Sequence, residues 1–247
     1  MALLKEFSLQ LYSLREEMEK DFAGVLRKVS ETGYTGVEFA GYGGYSAEEM
    51  RDLLEECRLH PIGSHISLER LTTALAEELA YNRVIGTRTI VVPWYDMKTE
   101  DDVRTLAARL RALAPKVRGA GFAFAYHNHA HEFAAPDGRC LLDLLLELVP
   151  PEELSLELDL YWAAYAGVDY RKYLREHGGR IKLLHLKQMA DETSKRCVDL
   201  GEGIIDFAEI LALGAQAGVE HYILEQEEFA ESPYSSIRNG FNHIMSL

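Results

Sequence analysis

Short apolar runs alternate with longer amphipathic ones along the whole chain, and few folds accommodate that rhythm. Strands are predicted at 7–11, 36–39, 61–65, 89–94, 122–127, 154–159, 181–187 and 222–227. Helices are predicted at 21–32, 47–58, 71–85, 101–119, 141–148, 170–177, 207–217 and 233–245. Strands that recur roughly every 30 residues with a helix in each interval are the sequence form of parallel βαβ units. Eight such units within 247 residues fit an α/β fold, a closed (β/α)8 TIM barrel, as a single domain over 1–247. A doubly wound open sheet is the competing layout, but no GxGxxG follows the first strand.

The punctuation supports the helices. Ser46 with Glu49, and Thr99 with Asp102, read as helix starts in which side chain and backbone cap each other. Gly33, Gly86, Gly119, Gly178 and Gly218 fall just past helical patterns, where a left-handed residue ends a helix. The one long interruption, 188–205, follows the seventh strand on the side where barrel active sites form, and is expected to act as a lid. No stretch approaches the ~18 apolar residues of a membrane span, and the opening residues are too soon broken by charge for a secretory signal. Cys57, Cys140 and Cys197 form no close pair, so reduced thiols in a cytoplasmic setting are expected. The formal charge of −14 disfavours nucleic acid and anionic membrane as partners, since both need a basic footprint. It leaves small molecules open.

Position along a barrel strand is informative, because active sites form at the C-terminal strand ends. In 154–159 the sequence Leu-Ser-Leu-Glu-Leu-Asp alternates strictly. The leucines suit packing under helices, which turns Ser155, Glu157 and Asp159 inward. By the same parity Ile223, Glu225 and Glu227 face inward, as do Leu183, His185 and Lys187. Ala123, Ala125, His127 and His129 share a face, and Glu132 follows in a loop. Gln10, Glu38, His65 and Trp94 are further candidates at the rim, where a substrate would bind. A single inward Glu or His is usually a satisfied polar residue. Asp159, His185 and Glu225 at similar heights on adjacent strands form a buried cluster with surplus negative charge, which asks for a cation. Trp94 and Trp162 either pack the rim or stack on a sugar face. Lys187 either pairs with Glu227 or holds a substrate oxygen or phosphate, and Tyr126 is expected to face outward into the core.

Five segments occur in an order that resembles a known family. They are Tyr-His-Asn-His-Ala-His-Glu-Phe (126–133), Leu-Asp-Leu-Tyr-Trp (158–162), Gly-Gly-Arg-Ile-Lys-Leu-Leu-His-Leu-Lys (178–187), Leu-Gly-Glu-Gly-Ile-Ile-Asp-Phe (200–207) and Ile-Leu-Glu-Gln-Glu (223–227). Together they resemble the xylose isomerase-like TIM-barrel superfamily, the sugar phosphate isomerases/epimerases, in the branch with an HNHxxEF element. The resemblance implies one divalent metal ion, Mn2+ first, with Mg2+, Co2+ or Zn2+ as alternatives. It implies as metal ligands Glu132, Asp159, His185 and Glu225. Many relatives carry a Glu within the fifth strand where this chain has His127, so either Glu132 reaches back from its loop or His127 replaces it. Glu132 is the expectation, with His127 or His129 touching substrate.

Such a site would polarise a carbonyl and stabilise the enediolate left when the neighbouring proton departs. Glu132 and Glu225 are expected to move protons, and Lys187 and His65 to orient the substrate. Isomerisation, epimerisation and dehydration share that first step. The favoured reading is therefore a metal-dependent sugar or cyclitol isomerase/epimerase. The alternatives are a lyase that dehydrates a keto-inositol or keto-sugar, and an inactive barrel that binds sugar. A nuclease on this scaffold would need more histidines and a basic face. The resemblance is also compatible with a homodimer.

Overall fold

The fold was described in a computed structural model for residues 7–247. Parallel strands close into a barrel: β1 (Ser8–Gln10), β2 (Gly36–Phe39), β3 (His60–His65), β4 (Thr89–Val92), β5 (Ala123–His127), β6 (Ser155–Asp159) and β7 (Ile181–Leu186). A small antiparallel hairpin, β8 (Gln188–Met189) and β9 (Cys197–Val198), stands apart, and β10 (His221–Leu224) completes the barrel between β7 and β1. The eight-stranded TIM barrel expected from the alternation is the observed fold.

Helices α1 (Arg15–Thr32), α2 (Ala47–Cys57), α3 (Leu68–Thr73), α4 (Leu75–Ile85), α5 (Glu100–Gly119), α6 (Leu141–Leu148), α7 (Leu160–Tyr165), α8 (Tyr170–Glu176), α9 (Phe207–Ala217) and α10 (Pro233–Met245) connect and cover the strands. Their starts follow the predicted caps: Ser46 with Glu49, and Thr99 with Asp102, form reciprocal hydrogen bonds. The predicted start at Asp21 is observed: Asp21 leaves helical geometry (φ −155°, ψ 84°) and its carboxylate accepts from the Gly24 amide, so α1 is two helical segments joined by a kink, the second capped by Asp21. The predicted helix 71–85 is instead α3 and α4, broken at Ala74. Gly33, Gly86 and Gly218 take the left-handed ends assigned to them, but at the other two sites the positive φ belongs to Gly121 and Gly179. Among the described residues no helix is long and apolar enough to cross a membrane.

The barrel interior is stratified. Ile62, Val91, Ala125, Leu183 and Ile223 pack as an apolar layer inside the barrel, separate from the large cluster between strands and helices. Two residues further along β5, β7 and beyond β10, the same inward parity presents His127, His185 and Glu225. The polar site is therefore a layer of the barrel, seated on a packed floor. The 188–205 segment is pinned. The Gln188 carboxamide accepts from the Ile205 and Met189 amides and donates to the Ile205 carbonyl. No residue of this segment lines the cavity at the strand ends that holds His65, His127 and Glu225; Met189, Glu192, Lys195 and Ile204 line a neighbouring one.

Candidate functional site

Strand register brings the polar layer together. His127 lies opposite Glu157 and Asp159 opposite His185. His185 lies opposite Ile223, and the Glu225 amide donates to the Leu186 carbonyl, which carries Glu225 just above His185. Ligand atoms of His127, Asp159, His185 and Glu225 all fall within 4.8 Å of one another, and every one of these residues is buried. A second group of the same compactness, His65, His127, Glu157 and His185, lies alongside and shares two members.

The layer beneath is held by hydrogen bonds. His185 Nε2 is 2.9 Å from Glu38 Oε2 and its Nδ1 is 3.2 Å from Glu225 Oε2. His65 Nε2 sits between Glu157 (2.7 Å) and Glu38 (3.2 Å). Gln10 donates to Glu38 through Nε2 at 2.9 Å, and its other amide atom accepts from the Tyr12 amide. Gly63 makes this possible, because a Cβ there would collide with the Glu38 carboxylate. Gln10 and Glu38 are thus fully buried under the site and do not line the cavity as substrate contacts would.

Some buried atoms have no hydrogen-bond partner: Glu38 Oε1, Glu157 Oε1, Asp159 Oδ2 and His129 Nδ1. Buried polar atoms are normally satisfied, so a cluster of exceptions marks a place built for something else to bind. The electrostatics agree. Burial, reinforced by Glu225, pushes Asp159 up to about 7. Burial also opposes charge on Glu225, but Lys187 and His185 outweigh it and hold that carboxyl well below the usual range. Burial works against a charged His65, yet Glu38 and Glu157 raise it to about 10. His129, buried and beside His127, is driven down to about 2 and stays neutral.

Lys187 is almost wholly buried. Its ammonium contacts Glu227, lies 3.6 Å from Glu225, and sits 4.9 Å from the ring centres of both Tyr161 and Trp162. It does not line the cavity. Of the two roles open in the sequence, the structure supplies the ion pair with Glu227. Glu132 is the principal departure from expectation. It lies in a 3-10 turn (His131–Phe133), where its carboxylate accepts from the Tyr126 hydroxyl at 3.0 Å and the His129 amide at 2.8 Å. It joins neither donor group. Tyr126 does pack outward into the core, as expected, and its hydroxyl donates to the Glu132 carboxylate. His127 stands in the expected place of Glu132.

Above the donors a cavity of about 580 Å3 opens to solvent, with His65, His127, His129 and Glu225 on its floor and walls. Trp94 is half-exposed at the rim, and Trp162 stands with its ring 5.4 Å from that of His129. Tyr12 and Glu227 also line it and were not singled out as contacts in the sequence. Glu227 shares the inward parity of Ile223 and Glu225. Glu157 was visible as inward, but its contact with three imidazoles was not.

Residues 26–244 match the family described as the xylose isomerase-like TIM barrel. The chain belongs to that family. A sugar phosphate isomerase/epimerase from Parabacteroides distasonis ATCC 8503 superposes with a TM-score of 0.87, at 24% identity and over 98% of both chains. The IolI protein, solved with a zinc atom bound, gives a TM-score of 0.76 at 14% identity, over 98% of this chain and 97% of its own. The inosose dehydratase of Geobacillus thermodenitrificans (strain NG80-2) is 24% identical over 172 residues, 62% of this chain and 56% of that enzyme's length. At such identities the structural likeness carries the fold and leaves the reaction open.

Proposed function

We propose that this chain is a metal-dependent isomerase or epimerase of a sugar or cyclitol, acting by removal of a proton next to a carbonyl. The observation that carries the reading is the convergence of His127, Asp159, His185 and Glu225 under an open cavity, with Asp159 Oδ2 buried and unpartnered. The donor set fits a divalent cation, because an isolated buried carboxylate oxygen is costly unless a cation or donor meets it. Two imidazoles beside two carboxylates make a softer set than the oxygen-rich one expected with Glu132. That favours Mn2+, Co2+ or Zn2+ over Mg2+. A cation held there would polarise the substrate carbonyl and make the adjacent proton easier to remove.

The chain's own residues supply the rest. Glu225 reaches the cavity beside the donor cluster, so it is the carboxylate placed to accept a proton from a bound substrate. Glu38 and Glu157 keep His65 protonated, and as a cavity residue it can donate to a substrate oxygen. Glu132 braces the loop that carries His129. Lys187 positions Glu225 and Glu227.

A dehydratase begins with the same proton abstraction, and the resemblance to inosose dehydratase keeps that reaction as the second reading. A test covers both. Protein purified without chelator is assayed for metal, then incubated in D2O with ketoses, aldoses and keto-inositols while exchange at the carbon beside the carbonyl is followed by NMR. The expected result is about one ion per chain and exchange abolished by EDTA. Exchange with ultraviolet-absorbing product formation identifies the dehydratase. Metal-free protein with exchange indifferent to EDTA overturns the proposal.

A further inference from the structure

Resting on the reading above, the charge and shape of the cavity identify a class of substrate. Its wall carries two carboxylates, Glu225 and Glu227, and Asp159, Glu157 and Glu38 are buried near its base. Lys187 is the cation built among them, and it is spent on Glu225, Glu227 and two aromatic faces. Among the described residues no lysine or arginine lines the cavity. A divalent ion and Lys187 together carry fewer positive charges than those five carboxylates carry negative ones. A phosphate monoester brings close to two negative charges and needs an arginine fork, lysines or a nest of amides to leave water. Here it would meet like charge at short range, which costs affinity.

The remaining walls are aromatic. Tyr12 and Trp94 are exposed at the rim, and Trp162 stands deeper. Flat amphipathic rings of this kind suit a ligand with an apolar C–H face and a hydroxylated edge. The edge would meet His129 and Glu227. We propose that the site takes an uncharged polyhydroxylated ring or chain, an unphosphorylated ketose or keto-cyclitol, and discriminates against phosphorylated and carboxylated sugars.

The molecule carries its own probe. Its two tryptophans are Trp94 and Trp162, and both line this cavity, so intrinsic emission reports binding there. Protein as purified, with its metal, is titrated with D-fructose against D-fructose 6-phosphate and D-ribulose against D-ribulose 5-phosphate, with scyllo-inosose as a cyclitol. The expected result is a response to at least one neutral ligand, with its phosphorylated counterpart weaker by about tenfold or more. The gap should narrow as salt is raised. Equal or tighter binding of the phosphorylated member overturns the proposal, as does no response to any neutral ligand. A phosphate preference that vanishes in Arg15→Gln would place a phosphate subsite at the rim, where Arg15 stacks on Tyr12, and overturns it too. The outcome is separable from that of the proposed reaction. Neutral ligands that bind without proton exchange leave this inference standing and remove the reaction, whereas exchange confined to phosphorylated sugars does the reverse.

Discussion

Two layers of the same barrel, two residues apart along β5, β7 and the end of β10, obey opposite rules. The lower layer of Ile62, Val91, Ala125, Leu183 and Ile223 is a packed core in which volume decides. The upper layer of His127, Asp159, His185 and Glu225 is also buried, yet it leaves polar atoms unpaired and surplus carboxylates facing one another. Burial thus stabilises in one layer and costs in the other. The lower floor provides a rigid footing that lets the upper layer hold an arrangement which folding alone would not favour.

The sharpest way to break this contrast is Asp159→Asn set against Leu183→Ala. Asp159 Oδ1 accepts from the Trp162 amide at the start of α7, a cap that Asn can keep, while its Oδ2 has no partner. Asp159→Asn should lower proton exchange by roughly a thousandfold or more, a loss of about 4 kcal/mol of transition-state stabilisation. The melting temperature of the metal-free protein should stay level or rise. Leu183→Ala should do the opposite, destabilising by about 2–5 kcal/mol with activity per folded molecule retained. Melts in EDTA and exchange rates on both variants check this. Parallel falls in stability would mean the two layers are not distinct.

Lys187→Met comes next. With the ammonium gone, Glu225 and Glu227 lose their shared counter-charge, and breaking such a buried pair costs about 3–5 kcal/mol. Adding Glu227→Gln should recover part of that loss in a double-mutant cycle followed by denaturant unfolding. Purely additive effects would show that Lys187 acts elsewhere. The smallest effect is expected for Tyr126→Phe. Removing the hydroxyl leaves Glu132 Oε1 short of a donor, at about 1–3 kcal/mol. Exchange should stay within a few-fold of the parent per folded molecule. A collapse of exchange comparable to Asp159→Asn would return Glu132 to the chemistry.

The site was legible wherever a strand carries it. Strict alternation in 154–159 turns Glu157 and Asp159 inward whatever the rest of the chain does, and parity does the same for His185 and Glu225. It left Glu132 and His127 as alternatives because a short turn leaves strand parity behind. There the carboxylate's direction is set by which donors lie near, and Tyr126 reaches it from the outer face of β5. Lys187 shows a related blindness. Its inward parity was correct, but the role depended on whether Glu227, Tyr161 and Trp162 would surround it. Gln10 and Glu38 were placed at the right strand ends and one layer too high, since the depth of a strand in the barrel depends on register with its neighbours.

What the sequence determined by itself was therefore periodic: the strand–helix rhythm, the barrel, and the inward face of each strand. These follow from the two-residue repeat of a strand and the geometry of parallel crossovers, which are local properties of the chain. Only the tertiary structure decided heights and partners. It put His127 rather than Glu132 beside Asp159, His185 and Glu225, enclosed Lys187, and placed Trp94 and Trp162 around one cavity. Those outcomes depend on the stagger between strands and on which donors a loop happens to meet. Both are settled by packing among residues far apart in the chain, and no local pattern encodes them.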